Sequence, residues 1–238
     1  MSDWIYGFFM AWGMFLTIPC PKKIWRESAR RKMLACLPLI GLIVGGIWAL
    51  CAWLGSFLPQ PLAALLCAAA PWLITGFMHL DGYMDVCDAV LSRRDLETRQ
   101  RILKDSHCGA FAVICLALLV LCQWAVFLSA EALPLWPLTL IPAASRACAA
   151  LAVLTLRPMS TSQYSAMTRG GAPVVFAAIV LAAVCGLSVL LWDSFAPLAA
   201  AVCYWYAFRQ LDGMSGDVSG FALTIAELGG AAVLVLWR

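Results

Sequence analysis

The chain has 238 residues, 63% of them hydrophobic and 12% charged, with a mean hydropathy of +0.89. Soluble domains carry roughly 25% charged residues, so this composition excludes a soluble enzyme and a nucleic-acid-binding module, and no nucleic acid is expected as a partner. It describes an all-α, polytopic membrane bundle, and the net charge of +3 matters less than where the charges fall.

Trp4 to Ile18 is apolar and aromatic but about fifteen residues long, short of the roughly twenty that span a bilayer. It suits a short crossing, a re-entrant segment or a helix in the interface. No basic leader precedes it, so a cleavable signal peptide is not expected. Cys20 to Lys32 gathers Lys22, Lys23, Arg26, Arg30, Arg31 and Lys32 against Glu27 alone. That run reads as a positive-inside signal and, compatibly, as a basic lip for anionic substrates or headgroups.

Met33 to Leu58 is long enough to cross, and Gly41, Gly45 and Gly46 allow a close helix neighbour. Pro59-Gln60-Pro61 makes a tight turn, and Leu62 to Leu80 is expected to return across the membrane. The polar stretch Ser92 to Lys104 spaces Leu96, Ile102 and Leu103 for a helix resting on the surface. Gly109–Ala130, Leu135–Leu156, Ala172–Trp192, Phe195–Phe208 and Val218–Trp237 are further crossings, with Asp193-Ser194 as a brief link. Six to eight helices in one domain, residues 1–238, are expected. Links 20–32, 80–107, 157–171 and 209–217 hold six, five, two and one Lys or Arg, while links 59–61, 131–134 and 193–194 hold none. The charged links, and the chemistry, should then be cytoplasmic. Eleven cysteines without a Cys-x-x-Cys pair, among them Cys108, Cys115 and Cys122 at seven-residue intervals, read as packing residues of a bundle.

His79 to Gly109 holds Asp81, Asp85, Asp88, Asp95, Glu97 and Asp105, six of thirteen acidic residues. Spacings of four and seven put Asp81, Asp85 and Asp88 on one narrow helical face. Three carboxylates there repel one another unless a cation joins them, and hard oxygen donors suit Mg²⁺. Asp105 is a fourth candidate ligand. The bland alternative is an ion-pair network with Arg93, Arg94, Arg99, Arg101 and Lys104. Gly82 would admit a substrate or a neighbouring backbone. Ser106 is expected to cap the next helix, leaving amides for phosphate. Arg146 sits mid-crossing and either pairs with Glu227 or reaches phosphate. Asp217 is a further ligand or a cap for the last helix. His79 points away from the Asp81 face and reads as structural, with proton transfer a lesser option.

HLDGYMDVCDAV resembles the HLDGLADTxDG signature of the cobalamin synthases, the adenosylcobinamide-GDP ribazoletransferases. IPCP, LPLIGLIVGG, KDSHCGAF, PAASRA and LDGMSGDVSGFALTIAELGG agree in order, from about Thr17 to Gly230. Leu211-Asp212 departs from the family's GG pair, and Gly229-Gly230 displaces the second glutamate of its ELxE. The resemblance implies a bacterial inner-membrane enzyme. In it the 3′-hydroxyl of α-ribazole, or of its 5′-phosphate, attacks the cobinamide-side phosphate of adenosylcobinamide-GDP and expels GMP, with Mg²⁺ required. It assigns Asp81, Asp85 and Asp88 to metal and catalysis, Asp105 to metal, and Lys104, Ser106, Arg146 and Asp217 to secondary contacts. A homo-oligomer is compatible with it. Another membrane phosphotransferase, an aspartate-rich prenyltransferase or a cation transporter is the alternative; a transporter should hold its carboxylates at mid-membrane.

Overall fold

The computed structural model describes residues 2–160, 162–165, 167, 170–190 and 195–236. The expected Asp193-Ser194 link, Arg169 and Trp237 lie outside them. Among the described residues the protein folds as eleven α-helices and a 3₁₀ turn, with no strand beyond one isolated bridge between Pro158 and Met214.

Helix α1 (Asp3–Phe15) has 13 residues and packs on α2 (Arg30–Ala35). At 1.5 Å per residue it is too short to cross a bilayer alone. The expected crossing from Met33 is broken at Cys36 and continues as α3 (Leu37–Gly55), with Pro38 in its first turn, where a missing N–H costs nothing. Helix α4 (Gln60–Ile74) begins inside the Pro59–Pro61 turn.

The return crossing expected over Leu62–Leu80 is not one helix. It stops at Ile74, and α5 (Met78–Leu91) leaves at 91° to α4. Gly76 and Phe77 make the corner, both with φ of 61°, in the left-handed region that glycine enters freely and phenylalanine does not. The segment after α1 satisfies the carbonyls freed at this corner: Thr17 donates its N–H to Ile74 O at 2.9 Å and its hydroxyl to the same oxygen at 3.1 Å. The acidic residues therefore lie on a separate helix and not at the tip of a crossing.

Helix α6 (Leu96–Ile102) is the expected surface helix, capped by Asp95 Oδ1, which accepts from the Thr98 N–H at 2.9 Å. Then come α7 (Ala110–Leu128), α8 (Leu135–Thr155), α9 (Ala172–Leu190), α10 (Phe195–Leu211) and α11 (Gly216–Leu236). Four of these helices, α3, α7, α8 and α11, are long and apolar enough to cross a membrane, or five spans if α4 and α5 count as one. Helix α9 contributes a shorter apolar stretch, Ala172–Leu187.

Helix α8 lies at the centre, against α3, α9, α10 and α11. Gly41 and Gly45 admit it: a Cβ at either would strike α8 backbone at Pro142 or Thr139, whereas Gly46 faces open space. Trp48 is fully buried and donates Nε1–H to Cys67 O at 2.7 Å, tying α3 to α4. Helix α7 turns Val113, Ile114, Leu118 and Leu121 outward, an apolar face suited to lipid.

Candidate active site

Helix α5 divides into two faces. Leu80, Tyr83, Val86, Cys87 and Ala89 are buried, chiefly against α11 and α7. Tyr83 stacks on Phe221 with centroids 5.8 Å apart and donates to Cys115 O at 3.2 Å. Asp81, Asp85 and Asp88 occupy the other face, as their spacing requires; Asp81 is exposed and the other two are half-buried.

That face lines a cleft of about 260 Å³ whose far wall is the segment before α7. Asp105, Ser106, His107 and Gly109 complete it, so all four predicted metal ligands meet one cavity. His107 donates its N–H to Asp105 Oδ1 at 3.0 Å and sets its ring nitrogen 2.6 Å from the same oxygen. These contacts hold the Asp105 carboxyl below the usual carboxylate range.

The ion-pair alternative fails on geometry. Among the described residues, none of the five basic side chains that follow pairs with Asp81, Asp85 or Asp88. Arg99 instead donates to Gln210 Oε1 at 2.6 Å. Asp85 feels only like charge, from Asp81, Asp217 and Asp88. No three His, Cys, Asp or Glu side chains among the described residues stand close enough to close a cage around a metal ion. Mg²⁺ does not need one: it keeps several waters and binds through one or two carboxylates plus substrate phosphates. An acidic cleft with four carboxylates, three of them without a Lys or Arg partner among the described residues, fits that mode.

Two capping expectations are corrected. Ser106 does not cap α7; Gly109 stands at the N-cap and Ala110 begins the helix, which leaves Ser106 on the cleft wall. Asp217 does not cap α11 either, because Ser215 Oγ accepts the Val218 N–H at 3.2 Å. Asp217 instead reaches the acidic helix. Gly82 and Gly220 let α5 and α11 cross closely: a Cβ on Gly82 would lie 2.9 Å from Asp217 Cα, and one on Gly220 would lie 2.9 Å from His79 O. The glycine of the acidic motif thus admits a neighbouring backbone. Lys104 is exposed and does not line the cleft.

Arg146 is fully buried and donates Nη1–H to Glu227 Oε1 at 2.5 Å, while Ser145 Oγ donates to the same oxygen at 3.2 Å. Of the two readings of Arg146, pairing is the one the geometry displays; it lines neither this cleft nor its neighbour. Removing one partner of such a pair strands a buried charge and costs roughly 3–5 kcal/mol.

That neighbour, which sequence reasoning missed, holds about 140 Å³ and shares Asp81 as a wall. Its polar groups come from His79, Gln163, Tyr164, Asp217 and Ser219. Gln163 and Tyr164 lie in the loop after α8, where no spacing pattern marks them.

The family model described as Cobalamin-5-phosphate synthase matches residues 7–235. An adenosylcobinamide-GDP ribazoletransferase of Clostridium botulinum (strain Alaska E43 / Type E3) is 36% identical, covering 97% of this chain and 97% of its own. One from Clostridium perfringens (strain 13 / Type A) is 35% identical, with coverages of 94% and 95%. Another, from Halalkalibacterium halodurans, is 34% identical, with 96% and 94%. No solved structure matches the chain. With a match across nearly the whole length and the acidic helix of the family signature lining a cleft, the chain belongs to the Cobalamin-5-phosphate synthase family.

Proposed function

We propose that the protein joins adenosylcobinamide-GDP to α-ribazole, or to α-ribazole 5′-phosphate, giving adenosylcobalamin or its 5′-phosphate and GMP. The observation that carries this reading is the cleft itself: Asp81, Asp85, Asp88 and Asp105 meet on one cavity, and among the described residues no Lys or Arg pairs with the first three. The names of the relatives supply the substrates. The whole chain acts as one membrane-embedded catalytic domain.

Asp81, Asp85, Asp88 and Asp105 would hold Mg²⁺, which when bound neutralises charge on the transferred phosphoryl group. The chain's own residues do the rest. The acidic helix fixes where the diphosphate lies, because only its Asp face opens to the cleft. Ser106 and the first amides of α7 face a phosphate oxygen from the far wall, and Lys104 draws the anion in from outside. One carboxylate of the trio takes the proton of the attacking hydroxyl. Asp217 steadies that carboxylate's surroundings from α11, and Arg146, tied to Glu227, keeps α8 and α11 in register. A bulky corrinoid rests at the mouth of the bundle, at the bilayer surface. The reaction face is cytoplasmic, in the bacterial inner membrane, as the basic residues of the charged links imply.

The test is direct. Purified protein with adenosylcobinamide-GDP, α-ribazole and Mg²⁺ should release GMP, and chelation should stop it. Asp85→Asn should lower turnover by at least about 100-fold, the scale at which removal of a transition-state electrostatic contact is felt, with the melting temperature in detergent little changed. Near-normal turnover of Asp85→Asn would remove the trio from the reaction.

A further inference from the structure

We propose that the second cavity, beside the acidic cleft, holds the aromatic base of the acceptor nucleoside, with His79 as its specificity contact. This rests on the ribazole reading above and adds where that substrate sits.

The cavity holds about 140 Å³. An apolar cavity of about 150 Å³ takes a benzene ring, so this one accepts one ring of a flat base and excludes a whole nucleotide. Its walls are mostly apolar: Phe15 from α1, Leu37 from α3, Ala149 and Val153 from α8, and Leu223 from α11. The Phe15 and His79 rings stack on each other, 14° from parallel with centroids 6.1 Å apart, which holds the His79 ring in place in the cavity wall.

One polar atom in this apolar setting lacks a partner. His79 Nε2 is buried and has no hydrogen-bond partner among the described residues. A buried unsatisfied group costs about 1–3 kcal/mol, so its persistence needs a reason. A benzimidazole-type base has an apolar body and, once its other nitrogen carries the ribose, a single unprotonated ring nitrogen. That nitrogen accepts one hydrogen bond, and a His79 Nε2–H would supply it.

Position completes the argument. Asp81 lines both cavities. A base seated against His79 places its ribose at Asp81, on the wall between the cavity and the acidic cleft. The ribose hydroxyl then lies at the edge of the acidic cleft, where the transfer proposed above takes place.

The experiment has a binding arm and a turnover arm, both with full-length protein in detergent. In the binding arm, equilibrium dialysis follows α-ribazole alone. Ala149→Leu, which fills the cavity, and His79→Leu should each weaken binding at least tenfold, and His79→Gln should recover part of it. An α-riboside of indole, with carbon in place of the ring nitrogen, should bind wild type at least tenfold more weakly than α-ribazole, yet bind His79→Leu about as well as α-ribazole does. Because the analogue changes the ligand, it reports even if a variant misfolds. In the turnover arm, KM for α-ribazole should rise in Ala149→Leu while KM for adenosylcobinamide-GDP moves less than twofold. Unchanged ribazole binding in Ala149→Leu, equal binding of the indole analogue to wild type, or a rise confined to KM for adenosylcobinamide-GDP would each overturn the assignment. Absence of GMP release by wild type counts against the transfer reaction alone, since the binding arm still decides the cavity.

Discussion

A methyl group at position 109 would overlap the carboxylate of Asp88. The site therefore depends on a residue with no functional group, one that leaves room for a ligand opposite. Gly109→Ala should move the Asp88 carboxylate aside rather than unfold the chain, because the displaced atoms are the free end of a side chain. Misplacement by about 1 Å can cost roughly 100-fold in rate. Turnover should fall by about that factor with the melting temperature nearly unchanged, and the Mg²⁺ concentration for half-maximal rate should rise. A large loss of stability with normal Mg²⁺ dependence would make Gly109 a packing residue. At this scale much was legible in the chain. The 81, 85, 88 spacing names one helical face whatever the tertiary structure does. Asp212 was legible only in part: it departs from the family's glycine, yet it adopts φ of 55° as a glycine would, and its carboxylate pairs with Arg157. Asp217 was legible as a candidate ligand, but its approach to α5 and the second cavity were not legible, because they depend on how α5 and α11 cross.

The corner between α4 and α5 is where an element-scale expectation failed. Hydropathy runs unbroken from Leu62 to Leu80, and hydropathy reports where a segment is soluble, not where its backbone turns. Two local signals were present. Pro71 sits inside the last turn of α4, and Gly76 follows it. Neither predicts a turn of 91°, since proline kinks are common in membrane helices that remain one span. Phe77 holds a left-handed conformation that costs roughly 1–2 kcal/mol for a residue with a Cβ, and its ring is exposed. Phe77→Gly should accordingly match or exceed wild-type stability in thermal unfolding, while Phe77→Val should fall below it, because a branched side chain is worse in that region. If both variants lose the same stability, the ring and not the backbone holds the corner. The result matters for activity as well, since the turn sets the Asp face of α5 towards the segment before α7.

Across the whole molecule, the four charged links are braced to one another at one end. Arg30 donates to Gln163 O at 3.0 Å, Gln100 to Leu211 O at 2.8 Å, and Met159 N–H to Met214 O at 3.0 Å. At the other end Gln60 spans to Ala130 O at 2.9 Å, joining two of the links that carry no Lys or Arg. The count of basic residues had already sorted the links into these two groups, which charge does reliably because lipid excludes it. The same count expects the charged end to face the cytoplasm, and the substrates set the same requirement. Cys108 offers a native probe: it is exposed and lines the acidic cleft. A membrane-impermeant maleimide should label it in inverted inner-membrane vesicles and not in right-side-out ones, with Cys108→Ser as the control that identifies the site among eleven cysteines. Adenosylcobinamide-GDP should slow the labelling in inverted vesicles by filling the cleft. Labelling from the outer face would put the carboxylates opposite the compartment that holds guanine nucleotides, and a reaction that releases GMP to the cytosol could not proceed there.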